Sequence, residues 1–132
     1  MSTNLLIIED NPQNAYLMRF LLEAKGFSVH IADNGRLGIQ EALDLKPSAI
    51  LLDIQLPEMD GYAVAAALKQ HPELQSVPII AVTSYAMVGD RERILQAGAT
   101  GYIEKPINPD TFVQEIIQHI GSGPDSQTEP TQ

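Results

Sequence analysis

Six polar or charged residues could form a single chemical site, because each of them follows or ends a short apolar run. They are Glu9 and Asp10 after residues 5–8, Asp53 after 49–52, Thr83 and Ser84 after 77–82, and Lys105 after 100–104. Three carboxylates brought close together repel one another and raise each other's pKa unless a cation lies between them. Oxygen ligands without cysteine or a nearby histidine favour a hard divalent ion such as Mg²⁺.

The same residues could support phosphoryl transfer. A carboxylate such as that of Asp53 can act as a nucleophile and form an acyl phosphate. A metal ion and the Lys105 ammonium would neutralise charge on the transferred group, and the Thr83 hydroxyl would bind one of its oxygens. Each residue taken alone also fits a structural role: Asp53 as a turn cap, Lys105 as a surface lysine and Thr83 as a strand former. Their joint placement at strand ends favours the chemical site.

The elements that must position these residues alternate along the chain. Apolar runs predict five strands, at residues 5–8, 27–32, 49–52, 77–83 and 100–104, and each is followed by a helical pattern. This alternation predicts an α/β fold, a doubly wound five-stranded parallel sheet. The order 2-1-3-4-5 places the three most apolar strands in the centre. In such a sheet, ligands bind beyond the carboxyl ends of the strands, here beside strands one and three.

Helix starts and apolar stripes can be read from the same patterns. Asn11-Pro12, Asn34, Asp60 and Asn108-Pro109 are start signals for the first, second, third and fifth helices, and the fourth is expected over about 86–97. In the first helix the residues at helical spacing are Tyr16, Leu17, Phe20, Leu21 and Ala24. In the second helix Leu37, Ile39, Ala42 and Leu43 are expected to face inward.

Composition sets further limits. The chain has 132 residues, no cysteine and a net charge of −9, so one acidic domain without disulfides is expected. Its acidity argues against nucleic-acid binding. No apolar run is long enough to cross a membrane and no signal peptide is evident, which fits a cytoplasmic protein. Residues 1–120 should form the domain, and residues 121–132, GSGPDSQTEPTQ, should be a disordered tail.

Taken together, the motifs closely resemble the receiver domain of bacterial two-component response regulators. The matching features are Glu9-Asp10, the run LLDIQLPEMDG with Asp53, Pro57 and Gly61, the pair Thr83-Ser84, and Tyr102 with Lys105-Pro106. The resemblance covers about residues 4–120. Each motif alone is weak, but their order and spacing together are specific.

The resemblance implies a role for each residue of the site. Asp53 would accept a phosphoryl group from a histidine of a sensor kinase or phosphotransfer protein. Glu9 and Asp10 would hold Mg²⁺, directly or through water, together with Asp53 and the backbone carbonyl of Gln55. Lys105 would pair with Asp53 before phosphorylation and with the phosphoryl group afterwards, across a cis Lys105–Pro106 bond.

The resemblance also implies a switch and an output. Thr83 would move towards the phosphoryl group, and Tyr102 would fill the space left behind, which changes the affinity for an effector protein. Gln55 and Tyr85 occupy positions that tune dephosphorylation. The chain would catalyse only its own phosphotransfer and autodephosphorylation, as a monomer or a weak phosphorylation-dependent dimer.

Three other interpretations remain open from the sequence. A phosphatase of the haloacid dehalogenase type also uses an aspartyl phosphate, but it requires a second Asp where this chain has Gln55. A flavodoxin-like carrier of FMN would need a Ser/Thr-rich loop where Glu9-Asp10-Asn11 stands. The chain could also be a receiver module excised from a hybrid histidine kinase or a larger regulator, although its starting methionine and the lack of an output domain favour a stand-alone regulator.

Overall fold

The computed structural model describes residues 3–56, 60–84 and 88–120. Strands and helices alternate through these residues, as the apolar runs predict. The strands are β1 Asn4–Ile8, β2 Ser28–Ala32, β3 Ala49–Asp53, β4 Ile79–Thr83 and β5 Gly101–Glu104. The helices are α1 Pro12–Glu23, α2 Gly35–Leu45, α3 Gly61–Lys69, α4 Val88–Gln96 and α5 Phe112–Ile120, with a short 3-10 helix at Pro72–Leu74.

The five strands form one parallel sheet in the order β2-β1-β3-β4-β5, which confirms the predicted topology. The three central strands are the most apolar ones, because both of their faces are covered by helices. Every residue of β3 and β4 is buried. Parallel pairing also brings the four strand ends that carry the candidate site, those of β1, β3, β4 and β5, to one edge of the sheet.

Two apolar cores lie on opposite faces of the sheet. On one face, side chains from α2, α3 and α4 pack on the sheet; these include Ala42, Val64, Leu68 and Ile94. On the other face, α1 and α5 contribute Met18, Leu22, Phe112 and Ile116. The strands supply alternating residues to both cores, as their period of two requires.

The predicted helix starts are confirmed where the side chains can be seen to cap. Asn11 accepts hydrogen bonds from the backbone N–H groups of Gln13 and Asn14, and Asn34 and Asp60 cap α2 and α3 in the same way. The turn after α1 ends at Gly26, whose φ of 97° is accessible to glycine at little cost. Within the described residues, no helix is long and apolar enough to span a membrane.

The predicted stripe of α1 is only partly correct. Tyr16 and Phe20 are 69% and 62% exposed, and the helix instead buries Ala15, Met18 and Leu22. Both sets recur at helical spacing, and the smaller, more flexible side chains pack against the sheet. The prediction for Leu37 in α2 is wrong for a similar reason, because Gly35, Gly38 and Ala42 form the buried face and allow close packing.

Several sequence predictions concern parts of the chain outside the described residues. Pro57 and Tyr85 are among them, as is the tail at 121–132. The fourth helix, expected over about 86–97, is described from Val88 to Gln96.

Candidate functional site

Three carboxylates meet at the carboxyl edge of the sheet. Asp53 is the last residue of β3, and Glu9 and Asp10 follow directly after β1, the neighbouring strand. One oxygen from each of the three side chains lies within 4.8 Å of the other two. Glu9 and Asp53 are 1% and 2% exposed, whereas Asp10 is open to solvent. Sequence spacing therefore predicted this cluster correctly, although it did not predict the burial of Glu9.

Lys105 is the cation that the structure places against this cluster. Its Nζ donates to Asp53 Oδ1 at 3.1 Å and lies 3.5 Å from Glu9 Oε1. The position of the lysine follows from the sheet, because its backbone N–H donates to the carbonyl of Thr83 at 2.8 Å and continues the β4–β5 pairing. The Lys105–Pro106 peptide bond is cis, as the resemblance implied.

The backbone after Asp53 is fixed by three hydrogen bonds. The N–H of Gln55 donates to Asp53 Oδ1 at 3.0 Å, and the N–H of Ile54 donates to the carbonyl of Val82 at 3.1 Å. The N–H of Gly61 donates to the carbonyl of Ile54 at 2.8 Å, where a Cβ on Gly61 would lie 2.4 Å from the Ile54 Cα. Only glycine allows the start of α3 to approach the end of β3 this closely.

Glu9 is buried, and its pKa is raised by its surroundings. Its Oε2 accepts a hydrogen bond from the N–H of Asn11 at 3.2 Å. The buried Oε1 has no hydrogen-bond partner among the described residues and only the 3.5 Å ion pair with Lys105. Burial, followed by the negative charge of Asp53, raises the pKa of Glu9 from 4.5 to about 7, against the opposing effect of Lys105. One ammonium therefore does not neutralise the three carboxylates.

This donor set fits a hard divalent cation. It consists of carboxylate oxygens only, within reach of one another. Glu9 Oε1, which accepts no hydrogen bond from the described residues, would gain a ligand bond or a charge partner from an added cation. The exposure of Asp10 leaves one side of the cluster open, which suits Mg²⁺ because that ion keeps several of its waters.

The remaining predicted residues lie on the two strands beyond β3. Thr83 ends β4 and is 1% exposed. It pairs with Glu104 of β5, and the residue before it, Val82, pairs with Asp53 of β3. Ser84 follows it and is exposed. Gln55 is half-buried in the loop after β3.

Tyr102, on β5, has a neighbour that sequence reasoning did not find. The guanidinium carbon of Arg91, on α4, lies 5.5 Å from the centre of the Tyr102 ring. No sequence spacing indicates this contact, because it joins a helix to a strand through the tertiary fold.

Fold and site together are those of a signalling receiver, and comparison with known proteins agrees. The chain belongs to the response regulator receiver domain family, which it matches over residues 5–117. It is therefore a two-component phosphorelay protein, a class whose members interact with histidine kinases or phosphotransfer proteins.

Particular relatives support this assignment. The chain is 43% identical to the polar-differentiation response regulator DivK of Brucella anthropi, over 92% of this chain and 98% of that protein. The receiver domain of the sensor histidine kinase PA1611 from Pseudomonas aeruginosa PAO1 was solved with a magnesium ion coordinated in its active site cleft. It is 34% identical, with a TM-score of 0.84 over 92% of this chain and 100% of that one. A CheY-like receiver domain protein from Methanospirillum hungatei JF-1 is 30% identical, with a TM-score of 0.82 over 92% and 95% of the two chains.

Proposed function

We propose that Asp53 is the phosphoacceptor of this receiver and that its donor is a phosphohistidine on a sensor kinase or phosphotransfer protein. The observation that carries the proposal is the position of the Asp53 carboxylate. It is 2% exposed, belongs to the acidic cluster and receives hydrogen bonds from Lys105 Nζ and the N–H of Gln55. These two donors fix the orientation of the Asp53 carboxylate, so that one of its oxygens can attack a phosphorus atom.

The transfer exchanges one bond to phosphorus for another, and the proton that it requires comes from solvent. A carboxylate oxygen of Asp53 attacks the phosphorus atom, a P–O bond forms, and the P–N bond to the donor imidazole breaks. The imidazole leaves with the electron pair of that bond and takes up a proton. Hydrolysis of the acyl phosphate by water would restore Asp53, and this autodephosphorylation is the only other reaction that we assign to the chain.

We assign Mg²⁺ to the acidic cluster, where Glu9 and Asp10 would hold it, directly or through water, together with Asp53 and the carbonyl of Gln55. When bound, the ion would supply positive charge to the phosphoryl oxygens. Lys105 would supply a second positive charge by exchanging its contact with Asp53 for one with the phosphoryl group. The Thr83 hydroxyl would donate a hydrogen bond to another phosphoryl oxygen.

Phosphorylation would be read out by another protein. In the proposed switch, Thr83 moves towards the phosphoryl group and Tyr102 occupies the space that it leaves, so that the surface around β5 changes. A net charge of −9 makes nucleic acid an unsuitable partner, so we expect an effector protein. We place this activity in the cytoplasm, in a monomer or a weak phosphorylation-dependent dimer.

Labelling with acetyl phosphate tests the site. The wild-type protein should gain one phosphoryl group with Mg²⁺ and none with a chelator, as measured by intact-protein mass spectrometry. Asp53→Asn should gain none. Asp60→Asn is the matched control, because Asp60 is a nearby exposed carboxylate that caps α3 and asparagine preserves the cap. Label on Asp53→Asn, or loss of label in Asp60→Asn, would contradict the assignment.

The domain assignment needs a separate test. We propose that residues 1–120 are sufficient for phosphorylation and that the tail at 121–132 takes no part in it. A chain that ends at Ile120 should be labelled at the wild-type rate and unfold at the same urea concentration. A slower rate with unchanged stability would show that the tail contributes to the site.

A further inference from the structure

Helix α4 contacts its neighbours through one buried apolar side chain and two arginines. Of its residues with described side chains, Ile94 alone is buried, and Leu95 is 49% exposed. Two exposed arginines, Arg91 and Arg93, each lie over a tyrosine ring on a different neighbouring element. Among the described side chains of α4, two contacts between an arginine and a tyrosine ring therefore supplement the apolar contact made by Ile94.

The spacing of the two arginines explains how they reach opposite neighbours. Positions i and i+2 are separated by about 200° around a helix. Arg93 places its guanidinium carbon 4.1 Å from the ring centre of Tyr62 on α3, and Arg91 places its own 5.5 Å from the ring centre of Tyr102 on β5. Both distances are within the range of about 6 Å over which a cation is attracted to an aromatic face.

The two arginine–tyrosine contacts differ in their distance along the chain from the candidate site. Tyr62 belongs to α3 and packs at the edge of the core beside that helix. Tyr102 lies three residues before Lys105, which contacts the unmodified Asp53 carboxylate directly. A groove of about 440 Å³ is lined by residues of β5 and α5, among them Tyr102, Glu104 and Phe112. Any rearrangement of the Tyr102 ring must alter its contact with Arg91.

We propose that Arg91 is a positioning residue that stabilises Tyr102 in its unphosphorylated position, while Arg93 anchors the other side of α4 to Tyr62. This inference rests on the proposed function, because it concerns the ring that responds to Asp53. A contact biases an equilibrium only by the difference it makes between the two states. Removing the Arg91 contact should therefore favour the phosphorylated arrangement before any phosphoryl group is present.

Three variants isolate the contact. Arg91→Met keeps the length of the aliphatic side chain and removes its charge, Arg91→Lys retains a cation, and Arg93→Met removes the other stacking contact. Arg91→Met should be labelled by acetyl phosphate about two- to fivefold faster than wild type, the range expected for one exposed cation–π contact. Arg93→Met should not be faster, and Arg91→Lys should lie between wild type and Arg91→Met.

A double-mutant cycle separates this role from a general loosening of α4. In a Tyr102→Leu background, the ring that Arg91 contacts is absent, so Arg91→Met should no longer change the labelling rate. An equal acceleration in both backgrounds would overturn the proposal. So would a folded Arg91→Met protein that is labelled at the wild-type rate.

A spectroscopic measurement keeps the test independent of the phosphoacceptor assignment. With 3-fluorotyrosine incorporated, the resonance of Tyr102, assigned with Tyr102→Phe, should shift in Arg91→Met, whereas that of Tyr62 should shift in Arg93→Met. If wild-type protein takes no label, the proposed function fails, and the fluorine spectra still decide the Arg91 contact. An unchanged Tyr102 resonance in Arg91→Met would overturn it.

Discussion

Helices α4 and α5 flank the same edge strand, β5, from opposite faces of the sheet, and they are held in different ways. Helix α5 buries Phe112 and Ile116. Three further apolar residues of α5 pack against the same core: Val113, Ile117 and Ile120. Helix α4 buries Ile94 and exposes a charged surface that includes Arg91 and Arg93. Among the described side chains, α5 is held by several packed apolar residues, whereas α4 is held by Ile94 and by two contacts between an arginine and a tyrosine ring.

This difference indicates where the domain can change shape at little cost. Elements with few buried apolar contacts open at low free energy, and moving parts are drawn from them. A rearrangement around Tyr102 would therefore displace α4 before α5. The site itself is built on the central strands β1, β3 and β4, which are buried on both faces and keep the carboxylates in place.

The largest expected effect comes from deleting core volume in α5. Ile116→Ala should lower the free energy of unfolding by about 2–5 kcal/mol, because Ile116 is fully buried and the cavity would be lined by a rigid sheet. Leu95→Ala on α4 is the matched control and should stay within about 0.5 kcal/mol, since its side chain is half exposed. Urea unfolding measures both. Equal losses would mean that α4 is as firmly packed as α5.

Hydrogen exchange should show the same difference without mutation. Amides in α4 should exchange at least about tenfold faster than those in α5, because local opening of α4 exposes less apolar surface. After labelling with acetyl phosphate, the change in exchange should be larger in α4 than in α5. Mass spectrometry of peptic peptides gives both rates. Equal protection of α4 and α5 would show that α4 is not held more weakly than α5.

The smallest expected effect concerns the place where the His119 ring of α5 lies over Gly101 of β5. A Cβ added at Gly101 would lie 2.2 Å from the His119 ring, so Gly101→Ala should cost about 1 kcal/mol as that ring is displaced. In a His119→Ala background the same substitution should become neutral or stabilising, because alanine suits a strand better than glycine does. Thermal unfolding of the four proteins in the cycle measures the coupling. Strict additivity would show that His119 does not rest on Gly101.

The sequence was sufficient to predict the sheet, its order and the acidic cluster. Those features depend on properties that a sequence displays directly, namely apolar runs and the polar residues that end them. Asp53 and Lys105 are 52 residues apart, yet both follow strands of one parallel sheet, so the topology alone brings them together.

The errors and omissions have one physical origin. In α1, the stripe with Tyr16 and Phe20 and the stripe with Met18 and Leu22 both satisfy the helical period, and the choice between them is made by packing on the sheet. The burial of Glu9 and the stacking of Arg91 on Tyr102 likewise depend on which side chains approach across elements. Local patterns do not contain that information.

Asn11 links the chemistry of the site to the construction of the first helix. Its side chain caps α1, and its backbone N–H donates to Glu9, two residues before it. Aspartate would cap equally well and would suit the helix dipole better. It would also place a fourth acidic side chain beside an acidic cluster served by one lysine. The neutral amide at this position keeps a helix start and an anionic site compatible within three consecutive residues.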